Sequence, residues 1–314
     1  MRQGDWHFSL NSLIVTTKQV IRKQRIKNMV YTLLGGTSLL SGMTSAAQVL
    51  GSAPALRILI YYKINEIPGN TLSVTPHLFA RQLRFLTEHY TVISPEDLIG
   101  VVAHGGRLPG KAVLITFDDG YRDVYENAYP VLQSMGLKAI LFPATDYIGT
   151  TTSFPHDERL PMPNPALDWD HIRAMQDVFT IGSHTRSHRV LTTLPLEMAR
   201  NEIVSSRALI EDRLGSAVRF FSYPKGASGD FSQRLEDMVE EAGYLASFVT
   251  LTGSNTVARL RSGKWLRRHM VEPFGRFTFA RLLDGSCDAI GLKDTRWGVT
   301  AKRTFNRMLG TVTR

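Results

Sequence analysis

Cysteine is almost absent from this chain of 314 residues: Cys287 stands alone. A single thiol excludes an internal disulfide framework and a cysteine-rich metal site, and it says little about redox compartment. Long apolar runs are missing as well. No stretch of about 18 apolar residues occurs, so no membrane span is read from the sequence. No internal repeat is found. The body of the chain also lacks net charge. The formal charge is +9, and it sits at the two ends. Residues 1–27 carry Arg2, Lys18, Arg22, Lys23, Arg25 and Lys27 against Asp5. Residues 288–314 carry Lys293, Arg296, Lys302, Arg303, Arg307 and Arg314 against Asp288 and Asp294, leaving residues 28–287 neutral. A nucleic-acid enzyme would place basic residues on its body, so no nucleic-acid partner is expected. Basic ends on a neutral body suit attraction to an anionic surface such as lipid headgroups, that is, peripheral membrane association, unless they are merely solvated.

What remains is a globular composition, 43% hydrophobic and 21% charged. The length is compatible with two domains, or with one barrel of roughly 250 residues. Three segments are expected: an N-terminal extension over 1–53, one domain over 54–287, and a basic tail over 288–314. In the extension, Val30, Leu33, Leu34, Leu40, Met43, Ala47 and Leu50 fit one face of a helix. The same stretch imitates a signal peptide, but its basic leader is long and Gly35, Gly36 and Gly42 interrupt the apolar run.

From Arg57 onward, short β-like runs alternate with helical patterns. The runs are Arg57–Tyr62, Val113–Phe117, Lys138–Ala144, Phe179–His184, Arg219–Tyr223, Leu245–Thr250 and Trp265–Met270. Helix starts are legible at Thr75-Pro76, Ser94-Pro95-Glu96 and Leu194-Pro195, and Asp230 is expected to cap a helix over Phe231–Ala242. Seven strands alternating with helices predict an α/β fold, either a parallel β/α barrel or a doubly wound sheet. Both place chemistry at the carboxyl ends of the strands. The Pro- and Thr-rich segment Thr145–Asp168 follows a strand, and reads as a substrate-contacting rim or a plain surface loop.

At one such strand end stand Asp118 and Asp119, followed by Gly120 and Tyr121. Adjacent acids repel unless a cation, an arginine or a proton compensates. An Asp-Gly turn with one acid capping the next helix is the alternative. A second strand ends in His184-Thr-Arg-Ser-His188. Two histidines at i and i+4 can grip one metal with their ring nitrogens. One carboxylate and two imidazoles leave coordination positions open, which is the mark of a catalytic site, and the other carboxylate is then free to act as a base.

A third strand carries Arg219-Phe-Phe-Ser-Tyr223-Pro224-Lys225-Gly226. Arg219 is the expected partner that holds the free carboxylate ionised and oriented, with a structural ion pair as the alternative. The Pro224–Gly226 turn offers backbone N–H groups to a developing oxyanion. His269, near the last strand end, is either the general acid or a core-edge histidine.

Together these runs resemble the polysaccharide deacetylases of the NodB-homology type, carbohydrate esterase family four, over about residues 55–285. Thr116-Phe-Asp-Asp-Gly120 is similar to the family's first motif, which implies Asp118 as catalytic base and Asp119 as metal ligand. His184 and His188 resemble the second motif and complete the metal site. Arg219–Gly226 resembles the third, which orients the base and supplies an oxyanion N–H from Lys225. Leu266-Arg-Arg-His269 has the form of a late Leu-x-x-His motif. Tyr121, Tyr223, Pro224 and Lys225 are the substrate-binding candidates. Tyr61-Tyr62 stands where relatives often read Tyr-His, and Lys225 where they often have tyrosine. The fold implied is a distorted barrel of about seven strands. The activity implied is metal-dependent hydrolysis of N-acetyl groups on an amino-sugar glycan of the cell envelope. The ion expected is zinc, with cobalt, manganese or nickel as alternatives. A non-glycan amide hydrolase and a catalytically impaired glycan-binding protein are the rival readings.

Overall fold

A strand buried on both faces needs a continuous apolar run, and the chain supplies several. In the computed structural model, residues 56–67, 70–158, 160, 164–286 and 288 are described. The helix expected in the N-terminal extension, Cys287 and the basic tail beyond Asp288 lie outside them. Among the described residues the strands are β1 (Arg57–Tyr61), β2 (Thr91–Val92), β3 (Ala112–Asp119), β4 (Ala139–Pro143), β5 (Phe179–Ile181), β6 (Phe220–Ser222), β7 (Ala246–Val249), β8 (Leu266–Arg267) and β9 (His269–Met270).

All strand pairings are parallel. One sheet runs β5-β4-β3-β1-β9, and a second runs β6-β7-β8. A parallel bridge from Ser183 to Phe221 carries the end of β5 across to β6. The two sheets close on each other through Leu266–Met270. Its first half pairs with β7 and its second half with β1, with Arg268 at the changeover. The result is a seven-stave barrel, with β2 an extra strand beside the start of β3.

The helices α1 (Pro76–His89), α2 (Pro95–His104), α3 (Tyr129–Ser134), α4 (Trp169–Ala174), α5 (Leu196–Leu214), α6 (Gln233–Glu241), α7 (Val257–Ser262) and α8 (Arg276–Asp284) fill the crossovers. Local chemistry sets their starts. Thr75 accepts from the Leu78 N–H, and Ser94 and Asp97 satisfy each other's backbone N–H groups in a capping box. Asp230 does not cap α6 as expected. It accepts from the Ala227 N–H within its own turn, and Ser232 takes the cap.

Side-chain alternation along the staves separates two cores. Ile58, Leu114, Ile140, Phe142, Phe220, Phe248 and Leu266 form one cluster. Leu59, Tyr61, Val113, Ile115, Phe117, Leu141 and Phe221 belong to the other, which packs against the helices. The first is the barrel interior. On β3 the same parity continues from Leu114 through Thr116 to Asp118, which therefore points inward at the carboxyl end of the barrel.

Candidate active site at the carboxyl ends of the strands

Asp118 is 1% exposed and is held by a guanidinium. Arg268 donates from Nη1 to Oδ1 at 2.6 Å and from Nη2 to Oδ2 at 2.8 Å. Ser222 at the end of β6 donates to Oδ2 at 3.1 Å and accepts from Arg268 Nη2 at 2.8 Å. The guanidinium is fully buried between the rings of Phe142 and Phe248, its Cζ 5.5 and 5.8 Å from their centroids. A two-pronged clamp of this kind fixes the direction of a carboxylate as well as its distance.

This corrects the expectation for Arg219. That residue is exposed and lies just before β6, at the end of the barrel opposite the site. Period-two alternation sets it on the outward parity, with Phe220 and Ser222 facing in. The same rule corrects His269. Arg268 and His269 are neighbours on one run, and only one of the two can face the interior. His269 turns outward to Arg57, whose Nη1 donates to its Nε2 at 3.1 Å. It is fully buried there, and desolvation first, then the Arg57 charge, lowers its pKa to about 3. A neutral, enclosed imidazole on the far side of the stave cannot be the general acid.

Asp119 is turned out of strand geometry. Its φ is 71°, and the following Gly120 has φ 87°. A Cβ on Gly120 would meet the Pro143 Cβ at 2.9 Å, so glycine is required for the turn. His188 Nε2 is 3.2 Å and His184 Nε2 3.5 Å from Asp119 Oδ1. Ligand atoms of these three residues lie within 4.8 Å of one another. Both Asp119 oxygens are buried and have no hydrogen-bond partner within the described residues. Orphaned buried carboxylate oxygens are costly, and an ion bound there would satisfy them. His184 Nδ1 lies 2.8 Å from the Ser222 carbonyl, which fixes Nδ1 as the donor and leaves Nε2 as a lone pair aimed at Asp119. The donor set fits a divalent ion with open positions.

The charges agree with that arrangement. Burial alone would raise the pKa of Asp119, but the imidazoles of His188, His156 and His184 outweigh it and hold the carboxyl well below its usual range. Burial pulls His184 down, and the charges of Asp118 and Asp119 together overcome it, so its pKa ends raised.

The His184–His188 turn is held from behind. Glu202 on α5 accepts from the N–H groups of Arg186 and Ser187 at 2.9 Å each, and from the Ser187 hydroxyl at 2.5 Å. Left-handed backbone concentrates here: of six non-glycine residues with positive φ among the described ones, Asp119, Thr185, His188 and Lys225 belong to this site. Such strain persists where surroundings over-determine it, and it marks functional loops.

The remaining candidates separate. Pro224 is buried. Lys225 is exposed, and its backbone N–H has no partner among the described residues. Tyr121 and Tyr223 are fully buried, which corrects their reading as substrate contacts. Tyr223 donates to Glu236 at 2.8 Å, and Tyr121 faces His156 and Asp157. Tyr62 does reach the site. Its phenol is held protonated by desolvation and by the charge of Asp118, against the opposing pull of Arg268.

The model of the family described as polysaccharide deacetylase matches residues 105–247, the stretch that holds Asp118, Asp119, His184, His188 and Ser222. A Bacillus subtilis protein assigned to the polysaccharide deacetylases is 29% identical over 213 residues, 67% of this chain and 70% of that one. Residues 105–247 therefore carry a polysaccharide deacetylase domain. A poly-β-1,6-N-acetyl-D-glucosamine N-deacetylase of Escherichia coli is 29% identical over 108 residues, 34% of this chain but 16% of that protein. Among solved structures, the Streptococcus pyogenes deacetylase PplD in complex with acetate superposes with a TM-score of 0.61. It is 23% identical and covers 73% of this chain and 96% of its own. That likeness establishes the barrel as the deacetylase fold.

Four residues of this site were not assigned from sequence: Arg268, Ser222, Glu202 and His156. For Arg268 a signal existed, because an apolar Leu266 facing inward fixes residue 268 on the same face. For Glu202, in mid-helix, there was none.

Proposed function

We propose that this chain is a metal-dependent de-N-acetylase of an amino-sugar polysaccharide or oligosaccharide. The observation that carries the reading is the pairing of an orphaned, buried Asp119 facing two imidazoles with a neighbouring Asp118 locked by Arg268. At Asp119, His184 and His188 the bound group would be a divalent ion, zinc before cobalt, manganese or nickel, supplying polarisation of an acetamide carbonyl and acidification of a water.

The chain's own residues do the rest. A carboxylate has about four lone-pair positions. Arg268 and Ser222 occupy three of those on Asp118, at 2.6, 2.8 and 3.1 Å. The remaining one is left to accept a proton from an attacking water. The Lys225 N–H, unpartnered on a left-handed turn, is a donor for the developing oxyanion. Tyr62 adds a neutral donor beside two carboxylates, where a charged group would disturb both. A neutral body suits a neutral N-acetylated glycan.

The test is acetate release from a panel of N-acetylated glycan oligomers, with metal content measured by elemental analysis. Asp118→Asn is expected to lose turnover and keep metal, and His184→Ala to lose both. Near-normal turnover by Asp118→Asn would remove the assignment of the base. Among the described residues no helix is long and apolar enough to cross a membrane. The location we propose is the cell envelope, with the basic ends attracted to lipid headgroups. Fusing residues 1–53 to a reporter active only outside the cytoplasm tests it, and a silent fusion counts against export.

A further inference from the structure

Residues 154–157, between β4 and α4, lie against the site and are pinned there by a buried lysine. Lys63, two residues beyond β1, is fully buried and meets Asp157 at 2.6 Å. Its ammonium also lies 4.6 Å from the centroid of the Tyr121 ring. The Tyr121 hydroxyl donates to the other Asp157 oxygen at 2.5 Å. Phe154 stacks on Tyr147 at 3.9 Å and sets its ring against His188 at 5.3 Å. Between Phe154 and Asp157 comes His156, 35% exposed. Its Nε2 lies 2.9 Å from the Tyr121 hydroxyl and 3.5 Å from Asp119 Oδ2.

Proton counting fixes the direction of these contacts. Tyr121 has one hydroxyl proton. Asp157, facing the Lys63 ammonium, is the acceptor that takes it. The Tyr121 oxygen is then left to accept, so the hydrogen between Tyr121 and His156 belongs to His156 Nε2. That N–H faces Asp119 Oδ2, while His184 and His188 both face Oδ1. The two oxygens of Asp119 are therefore unlike: Oδ1 looks toward the imidazoles of His184 and His188, and Oδ2 toward the edge of the His156 ring.

We propose that His156 is a positioning residue for the metal carboxylate. Its Nε2–H, donated to the Tyr121 oxygen, lies 3.5 Å from Asp119 Oδ2 and sets a positive dipole beside that oxygen, so that Oδ1 is the one presented to the ion, and the Lys63–Asp157–Tyr121 clasp holds the ring there. Metal affinity and the order of the 154–157 segment are thereby coupled. Partners that orient a metal ligand typically account for about 10–100-fold in metal affinity.

The proposal rests on the metal-site reading above, and the experiment separates the two. Zinc affinity of the full chain is measured by chelator competition for wild type, His156→Ala, His156→Gln and Tyr121→Phe. The expected result is a loss of about 10–100-fold for His156→Ala. His156→Gln, which keeps an N–H donor at similar reach, should recover most of it, and Tyr121→Phe should fall between. Hydrogen exchange supplies a readout independent of activity: zinc should protect residues 150–158 in wild type and not in His156→Ala. Unchanged affinity in His156→Ala with normal zinc binding by wild type overturns this proposal alone. No zinc binding by wild type overturns the metal site and the proposal together.

Discussion

Arg268 and Asp118 are 150 positions apart in sequence and meet through two hydrogen bonds in the interior of the barrel. Lysine cannot reproduce that contact, because a point charge cannot hold both carboxylate oxygens. Arg268→Lys is expected to lower kcat by about 10²-fold, the scale of a misplaced catalytic group. Arg268→Leu leaves Asp118 buried and unpaired, which costs about 3–5 kcal/mol of stability as well. Arg219→Ala should leave kcat unaltered and stability within about 0.5 kcal/mol, as for an exposed position. Acetate-release kinetics and urea unfolding of the three variants check all of this.

Chelation should abolish turnover, and added zinc or cobalt should restore it. Bound ion should also raise the unfolding midpoint, since a ligand at 100 times its Kd stabilises the native state by about 2.7 kcal/mol. An apo-protein that is fully active, with no shift in midpoint on adding metal, would contradict the site.

Glu202→Gln removes the charge that gathers the Arg186 and Ser187 N–H groups. His188, held at φ 57°, then loses the support of its turn. Zinc affinity should fall by about tenfold or more, with the far-UV circular dichroism spectrum unaltered.

His269 contributes a pH dependence that belongs to stability. Its folded pKa is about 3, below an unfolded value near 6.5. Between those limits the unfolded chain binds the extra proton, so stability is present above pH 6.5 and is lost as pH falls toward 3. The slope contributed is about 1.4 kcal/mol per pH unit. His269→Gln should flatten that part of the profile in urea titrations between pH 4 and 7. The pH profile of kcat should not move, because the ring lies outside the site.

The staves and the convergence of Asp119, His184 and His188 were legible because both rest on local patterns. An apolar run ending in Asp118-Asp119, and two histidines four apart, declare themselves within ten residues. Two of the errors, at Arg219 and His269, share one cause: each residue stands in a motif-bearing run, and alternation along that run turns its side chain outward. On the last run, alternation assigns Arg268 to the interior and His269 to the outside. The buried tyrosines were misread for another reason: an aromatic beside a motif fills a core as readily as a cleft, and only tertiary packing decides. His156 and Glu202 gain their importance from partners far away in sequence, Asp119 and the Arg186–Ser187 backbone, so no local pattern announces them.

The run Leu266–Met270 joins the two sheets and also delivers the guanidinium. A folding chain that has assembled β1 through β7 therefore has its carboxylates and imidazoles in place, but an open seam and an unclamped Asp118. Barrel closure and the clamping of Asp118 are thereby coupled, and a contact of such long sequence separation is expected to form late. Refolding followed by tryptophan fluorescence and by recovery of turnover should show activity returning with the slowest phase. A chain interrupted before Leu266 would be inert however much of its sheet had formed.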